Sequence, residues 1–253
     1  MKANRKLWVA ATVCVAVVAG VTGCSQGDDK AADPFAGLTA DAIADKAVET
    51  TKAATAFRMN GTGTTDGEEM TVDFSVDSKG TCKGSMQAVK GGKAELIGTG
   101  DVSYMKGDDA FWRSSGGEEG ASADEAGAMS AMLKGRWLKM PAGGDDDTAA
   151  FCDLKTIVKD MEEDTPRKGM TRGADADVDG KAAATLTKKG EKGETTTFYV
   201  AKDAAKPYIL RVVEAGGKEP GTVTLSDFDK PVTVTAPPAA DTVDMEQLMK
   251  GAS

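Results

Sequence analysis

The sequence contains no histidine, and this absence excludes several classes of enzyme. Without an imidazole, the chain has no Ser-His or Cys-His nucleophile pair and no histidine general base. Two phosphate-binding motifs are also missing, the Gly-x-Gly-x-x-Gly fingerprint and the Walker loop. Carboxylates are numerous, but no pair stands out as a glycosidase dyad. We therefore predict that the protein is not an enzyme and needs no cofactor.

Cysteine is scarce, with four residues in the whole chain. Cys14 and Cys24 lie in a leader segment discussed below, which leaves Cys82 and Cys152. Two cysteines without any histidine cannot complete a tetrahedral zinc site, so we predict no metal there. In an oxidising compartment this pair predicts a disulfide closing a loop of about 70 residues. Two buried free thiols are the alternative.

One acidic stretch resembles the first half of a calcium-binding loop, with Asp175, Asp177 and Asp179 at alternate positions. The twelfth position of that register is Leu186, where the loop needs a bidentate glutamate. An Asp-Gly hairpin turn at Asp179-Gly180 explains the pattern better.

A long apolar run occurs once, from Leu7 to Val21, after a start that carries three basic residues. The run ends in Val21–Cys24, a short motif of small residues before a cysteine. This arrangement is typical of a lipoprotein signal peptide, in which the cysteine is acylated and becomes the mature N-terminus. We predict a signal over residues 1–23 and lipidation at Cys24, including a palmitate-type acyl chain. An uncleaved signal anchor is the alternative.

These assignments predict where the protein is located and how its chain is divided. Residues 24–37 are small and polar and predict a flexible tether, followed by one domain over residues 38–253. Without its signal, the chain keeps 28 basic and 40 acidic residues and has a net charge of −12. Such a surface repels nucleic acid and anionic headgroups, so we predict attachment through acyl chains at the extracytoplasmic face of the cell membrane.

Hydrophobic periodicity predicts a helix, then a strand meander with helical insertions. The first helix begins at the N-cap Thr39 and runs to about Ala56. Alternation at Met70, Val72, Phe74 and Val76 predicts a half-buried strand. Further strands are predicted at residues 81–89, 93–98, 102–105, 110–113, 136–140, 167–172, 181–188, 195–200, 208–214 and 221–228. A loop at 114–121, an acidic loop at 143–147 and helices near 126–133, 150–162 and 243–250 complete the prediction. Glycine turns between short strands favour an antiparallel α+β fold over a doubly wound one.

The order of these features resembles a known family. A lipobox, a tether and a helix ending in Ala56–Arg58 are followed by strands, and the chain closes with Ser-Asp-Phe-Asp-Lys-Pro-Val at Ser226–Val232. The late strands Phe198–Ala201 and Pro207–Arg211 also fit. This pattern, over roughly residues 38–235, resembles the LppX/LprG-type lipoproteins of Gram-positive envelopes, which are related in fold to the LolA/LolB carriers. The family supplies no catalytic residues.

The resemblance implies a strongly curved antiparallel half-barrel sheet, helices across its concave face and an apolar cavity that holds acyl chains. Methionine suits such a cavity because its unbranched thioether adapts to irregular apolar partners. The candidate lining residues are Met70, Val72, Phe74, Met86, Tyr104, Met129, Met132 and Leu133. Met129, Met132 and Leu133 are predicted to form a movable lid facing the first three, while the disulfide fixes the second inserted helix.

The expected function is therefore a monomeric, membrane-anchored lipid or lipoprotein carrier or chaperone, whose ligand is a lipid or glycolipid. A sensor or interaction module with a filled cavity is the alternative on the same fold. A transporter solute-binding protein is disfavoured because no pair of parallel βα lobes is visible.

We expect Cys24→Ala to abolish acylation, because the thioether forms on the thiol of that residue. The protein should then leave the membrane fraction or remain as an unprocessed precursor. Metabolic labelling with a radioactive fatty acid measures the effect. Cys14→Ala is the matched control and should keep the label, and label retained by Cys24→Ala would contradict the prediction.

Overall fold

The structure is a computed structural model that describes residues 33–65, 67–118, 122–141, 152–164, 167–190 and 193–247. The predicted signal peptide, Cys24, the first part of the tether and the acidic loop at 143–147 lie outside these residues. The described part of the chain falls within one compact unit that begins at Asp33. None of its helices is both long enough and apolar enough to cross a membrane.

Four helices are described in addition to one short 3-10 turn. They are α1 (Ala40–Lys52), α2 (Asp109–Glu118), α3 (Ala123–Leu133) and α4 (Leu154–Asp164), and the 3-10 turn is Ala239–Asp241.

Thirteen strands form one open sheet. Their bounds are β1 Ala56–Thr65, β2 Glu68–Asp77, β3 Thr81–Ala88, β4 Gly92–Thr99, β5 Val102–Gly107, β6 Trp137–Pro141, β7 Thr171–Arg172, β8 Ala176–Val178, β9 Lys181–Lys189, β10 Thr195–Ala201, β11 Ile209–Ala215, β12 Gly221–Ser226 and β13 Thr242–Asp244. The strand order is β13-β6-β5-β4-β3-β2-β1-β12-β11-β10-β9-β7, and β8 pairs with β9. Every described pairing is antiparallel except β13 with β6. The predicted α+β half-barrel, with helices across its concave face, is confirmed.

Helix α1 packs on the side of the sheet that contains β11 and β7, and it begins where the sequence predicts. The hydroxyl of Thr39 accepts a hydrogen bond from the backbone N–H of Ala42 at 3.2 Å, which confirms the N-cap. The helix ends at Lys52, four residues before the predicted end, because Ala56 already belongs to β1. Buried Thr51 fastens α1 to the sheet, since its hydroxyl accepts from the Ile209 N–H at 3.0 Å.

The segment before α1 is part of the folded unit. Residues 33–37, which the sequence assigns to the tether, form a turn, and the Phe35 side chain is completely buried in the core. Arg172 lies over the Phe35 ring and forms an ion pair with Asp33 at 2.7 Å.

The predicted strand at 110–113 and the predicted loop at 114–121 are wrong, because the structure has α2 over Asp109–Glu118. Asp108 is the cause. Its carboxylate accepts from the Phe111 N–H at 2.8 Å, and its carbonyl accepts from the Trp112 N–H at 3.1 Å. Asp108 is therefore the cap of α2. α2 then buries Trp112 against Gly107.

The predicted last helix at 243–250 begins later than expected, because Val243 lies in β13; residues 245–247 are helical, and residues 248–250 lie outside the described ranges. The exposed edge of β6 explains this, since its backbone groups need partners and β13 supplies them. Lys139 and Asp244 reinforce the pairing with an ion pair at 2.9 Å. Elsewhere, α4 begins at Leu154, where Asp153 caps it, and not at residue 150. The Asp179-Gly180 turn is confirmed between β8 and β9, with positive φ at both residues.

Inward-facing glycines let bulky groups lie directly on the concave face. A side chain at Gly84 would overlap the Phe74 ring on the neighbouring strand. A Cβ at Gly98 would lie 2.9 Å or less from the sulfurs of Cys82 and Cys152, which form the predicted disulfide across 5.2 Å between Cα atoms. Only glycine leaves room for these contacts.

The closing Ser-Asp-Phe-Asp-Lys-Pro-Val motif has a structural role. Phe228 stacks on Tyr208 with ring centroids 4.0 Å apart. Asp229, at φ 60°, accepts hydrogen bonds from Lys206 and Tyr208 at 2.7 Å each and from the Thr55 N–H at 3.0 Å. These bonds, led by the one from Lys206, lower the pKa of Asp229 well below its usual value. The motif thus ties the end of β12 to the α1–β1 junction.

We expect Asp229→Asn to lower the free energy of unfolding at pH 7 by about 1–3 kcal/mol, because it removes charged hydrogen bonds. Asparagine tolerates the positive φ, so backbone strain does not confuse the result. The folded-state pKa is depressed, so this stability is present above the unfolded pKa of about 3.9 and is lost as pH falls below it. The difference between the two proteins should therefore shrink below about pH 4 in urea titrations.

Asp227→Asn is the matched control. Asp227 also has a positive φ of 51°, but its side chain pairs with the exposed Lys230. Such a surface pair contributes about 0–1 kcal/mol. Equal destabilisation by the two substitutions at every pH would contradict the role assigned to Asp229.

Candidate functional site

An apolar cavity of about 520 Å³ lies between α4 and the concave face of the sheet. Its walls combine strands β1, β2, β10, β11 and β12 with one face of α4. The apolar side chains that line it are Met59, Met70, Val72, Ile157, Met161, Phe198, Val212 and Val223. Threonines and two glutamates, Glu214 and Glu219, lie among the remaining lining residues. This arrangement fits a ligand with an apolar body.

Glycines form the floor of the cavity. Gly61 and Gly63 alternate inward on β1, and Gly63 pairs with Gly221 on β12. The nearest atoms to a side chain built at any of the three belong to neighbouring strands and not to a helix. At Gly63, where a side chain would meet no atom closer than 3.8 Å, the missing side chain leaves open space above the sheet, in contrast to Gly84 and Gly98, which bulky groups cover.

Helix α4 forms the roof. Leu154 and Val158 are buried and hold the helix in the core, while the half-buried Ile157 and Met161 reach the cavity. Because these pairs recur at spacings of three and four residues, they form one apolar stripe. A single helix thus packs on the core and covers the cavity.

Two of the eight residues that the sequence proposes as lining, Met70 and Val72, border this cavity. Phe74 and Leu133 are buried in the core, and Met86 packs against it. Tyr104 is half-buried and alternates with the buried Met105, so it points to the opposite face of β5. The structure does not bring these residues together at one site.

The predicted lid contact is wrong. Met129 and Met132 on α3 are exposed by 36% and 40%, and α3 packs on α2, so they do not face Met70, Val72 and Phe74 across a cavity. The helical period places Ser130 and Leu133 on the buried face. The hydroxyl of Ser130 donates to Asp109 at 2.5 Å, and this bond fixes the orientation of α3 on α2.

The lining residues that sequence reasoning missed lie far apart in the chain, on β1, β10, β11, β12 and α4. The one local signal is the pair of alternating glycines at 61 and 63 in a strand, since such glycines indicate a place where something approaches the backbone.

A second, larger cleft of about 760 Å³ lies on the convex face. Ion pairs occupy it: Arg58 with Asp73 at 2.6 Å, Lys93 with Glu95 at 3.0 Å, and Lys230 with Asp227. Lined by paired charges, this cleft does not suit an acyl chain. Across the ranges that the structure describes, no group of three or more acidic or cysteine side chains is placed to hold a metal ion.

Known structures show the same architecture. LprF from Mycobacterium bovis superposes with a TM-score of 0.51 and 16% identity, over 79% of this chain and 97% of that one. Lipoprotein LppX from Mycobacterium tuberculosis gives a TM-score of 0.49 and 14% identity, over 78% and 98%.

The chain has an LppX/LprG-type fold. At this level of identity the likeness concerns the fold alone. No protein-family model matches the sequence, and no curated protein matches it.

We expect Ile157→Asp to weaken the binding of N-phenyl-1-naphthylamine, a neutral apolar dye, by at least tenfold, or about 1.4 kcal/mol. The reason is that a carboxylate in an apolar cavity is poorly solvated. The double variant Met129→Asp/Met132→Asp is the control and should bind the dye as the unmodified protein does, because both side chains are already exposed. Dye fluorescence measures both. Loss of binding in the control alone would restore α3 as the lid.

Proposed function

We propose that the protein is a membrane-anchored envelope lipoprotein that binds an acyl-chain ligand non-covalently and acts as a lipid or lipoprotein carrier or chaperone. The observation that carries this proposal is the apolar cavity under α4. Its methionines at 59, 70 and 161 adapt to a flexible chain, and the missing side chain of Gly63 leaves open space on its floor. The LppX/LprG-type fold supports the proposal.

The size of the cavity limits the ligand. At roughly 30 Å³ for each water-sized group, 520 Å³ holds on the order of seventeen such groups. A single long acyl chain, or two short ones, is therefore the cargo that we propose. The hydroxyl oxygen of Thr156, which donates its proton to Asp153, can accept a hydrogen bond from a polar headgroup.

The anchor would be Cys24, on the extracytoplasmic face of the membrane. Eight residues separate Cys24 from Asp33, where the folded unit begins. Nine residue steps span about 30 Å at most, so the acyl anchor would hold the domain close to the bilayer surface. A cavity near the bilayer is suited to exchange of a chain with it.

Gly63→Phe tests the cavity. A Cβ at Gly63 meets no atom closer than 3.8 Å, so the ring can enter the cavity without displacing the backbone. We expect the variant to fold and to lose co-purified lipid, because the ring occupies the space of the acyl chain. Native mass spectrometry of the two proteins measures the bound species.

Asn60→Phe is the matched control, since Asn60 lies on the same strand but is exposed on the opposite face. This variant should retain lipid. If the unmodified protein carries no acyl species and takes none from vesicles, the carrier proposal fails, and an interaction module becomes the better interpretation.

A further inference from the structure

The Cys82–Cys152 disulfide connects the sheet directly to the roof of the cavity. Cys82 lies on β3, and Cys152 lies two residues before α4. The two residues are 70 positions apart in the chain. Gly98 lies beneath the two sulfur atoms, so the bridge rests on the inner face of β4. The beginning of α4 is thereby held against the sheet by a covalent bond.

The disulfide lies just before α4, and the cavity lies beneath the helix from its first turn onward. Cys82 pairs with Val76 near the end of β2, whereas Met70 and Val72, which line the cavity, lie near the start of β2. α4 begins beside the disulfide and reaches the cavity with Ile157 and Met161. The helix is therefore attached at its start and covers the ligand space with the residues that follow.

α4 is a short helix that packs against α1 and the core through one apolar stripe. The helix has 11 residues, and two of its described side chains, Leu154 and Val158, are buried. Isolated helices of this length are marginal in water, so α4 needs its attachment to the sheet in order to stay formed. Breaking the bridge removes the one covalent constraint that joins its start to β3.

We propose that the disulfide is a clamp that keeps α4 over the cavity, so that the oxidised chain binds apolar ligands and the reduced chain does not. This inference rests on the proposed function of the cavity. A dithiol reductant transfers two electrons and two protons to the bridge. It becomes a disulfide itself, and Cys82 and Cys152 become thiols. Both cysteines are buried, so the reductant reaches them only when α4 opens.

It follows that formation of this disulfide precedes ligand binding. A chain exported in its reduced form would have the sheet but no stable roof until an oxidant closes the bridge. Oxidation of two protein thiols by a disulfide-exchanging enzyme of the envelope is the class of reaction that would supply the competent protein.

Hydrogen exchange tests the clamp without any ligand. The full chain is compared before and after treatment with dithiothreitol. We expect exchange to accelerate at least tenfold in α4 and to change little in β1 and β2, because the sheet keeps its own pairings. Uniform acceleration through the sheet, or none in α4, would overturn the proposal.

Ligand binding gives the second measurement. We expect reduction, or Cys82→Ala/Cys152→Ala, to lower N-phenyl-1-naphthylamine affinity at least tenfold while circular dichroism keeps the strand signal. Dithiothreitol should have no further effect on the double variant, which is the control for non-specific effects. Unchanged dye affinity after reduction would overturn the clamp alone. If even the oxidised protein binds no dye and no acyl lipid, the proposed function fails, whatever the exchange data show.

Discussion

The structure depends on how the apolar concave face of one large open sheet is covered. A curved sheet of this kind cannot bury its inner side chains by pairing strands, so helices must lie across it. α1 covers the side of the sheet that contains β11 and β7 with Ile43 and Ala47, while α2 covers the side that contains β4 and β5 with Trp112. The covering groups can approach the sheet closely only where the residues beneath them are small. The inward-facing glycines are these small residues.

The two halves of the sheet use glycine differently. On β3, β4 and β5, bulky groups fill the space above the inward glycines: the Phe74 ring, the disulfide and Trp112. On β1 and β12, none of the atoms nearest to a side chain built at Gly61, Gly63 or Gly221 belongs to a helix. The same residue type thus produces a packed core on one side and a cavity on the other. The two sides of the sheet differ in whether a bulky group lies directly on the inward-facing glycines.

Three sets of bonds between elements stabilise this arrangement. Asp229 ties β12 to the α1–β1 junction, Thr51 ties α1 to β11, and the disulfide ties α4 to β3. The first two hold elements that form the packed core. The third holds the element that covers the cavity, which is why we propose that this bond also controls ligand binding.

Local patterns predicted most of the elements correctly. Alternation at Met70–Val76 identified β2, Thr39 identified the start of α1, and the apolar spacing near residues 126–133 identified α3. The errors also have local physical causes. An aspartate such as Asp108 can lie in a turn or cap a helix. The burial of Trp112 against Gly107 favours the helix here.

The sequence by itself determined the α+β antiparallel organisation, the cysteine pair and the lack of histidine chemistry, because these depend on residue type and short-range period. The tertiary structure alone decided where the cavity lies. Its lining residues lie on β1, β2, α4 and β10–β12 and are separated by up to about 160 positions in the chain. The order of the strands in the sheet brings them together. Helical period shows that α3 and α4 each have an apolar face, but not which space each face meets. Packing places Met129 and Met132 in solvent and Ile157 and Met161 over the cavity.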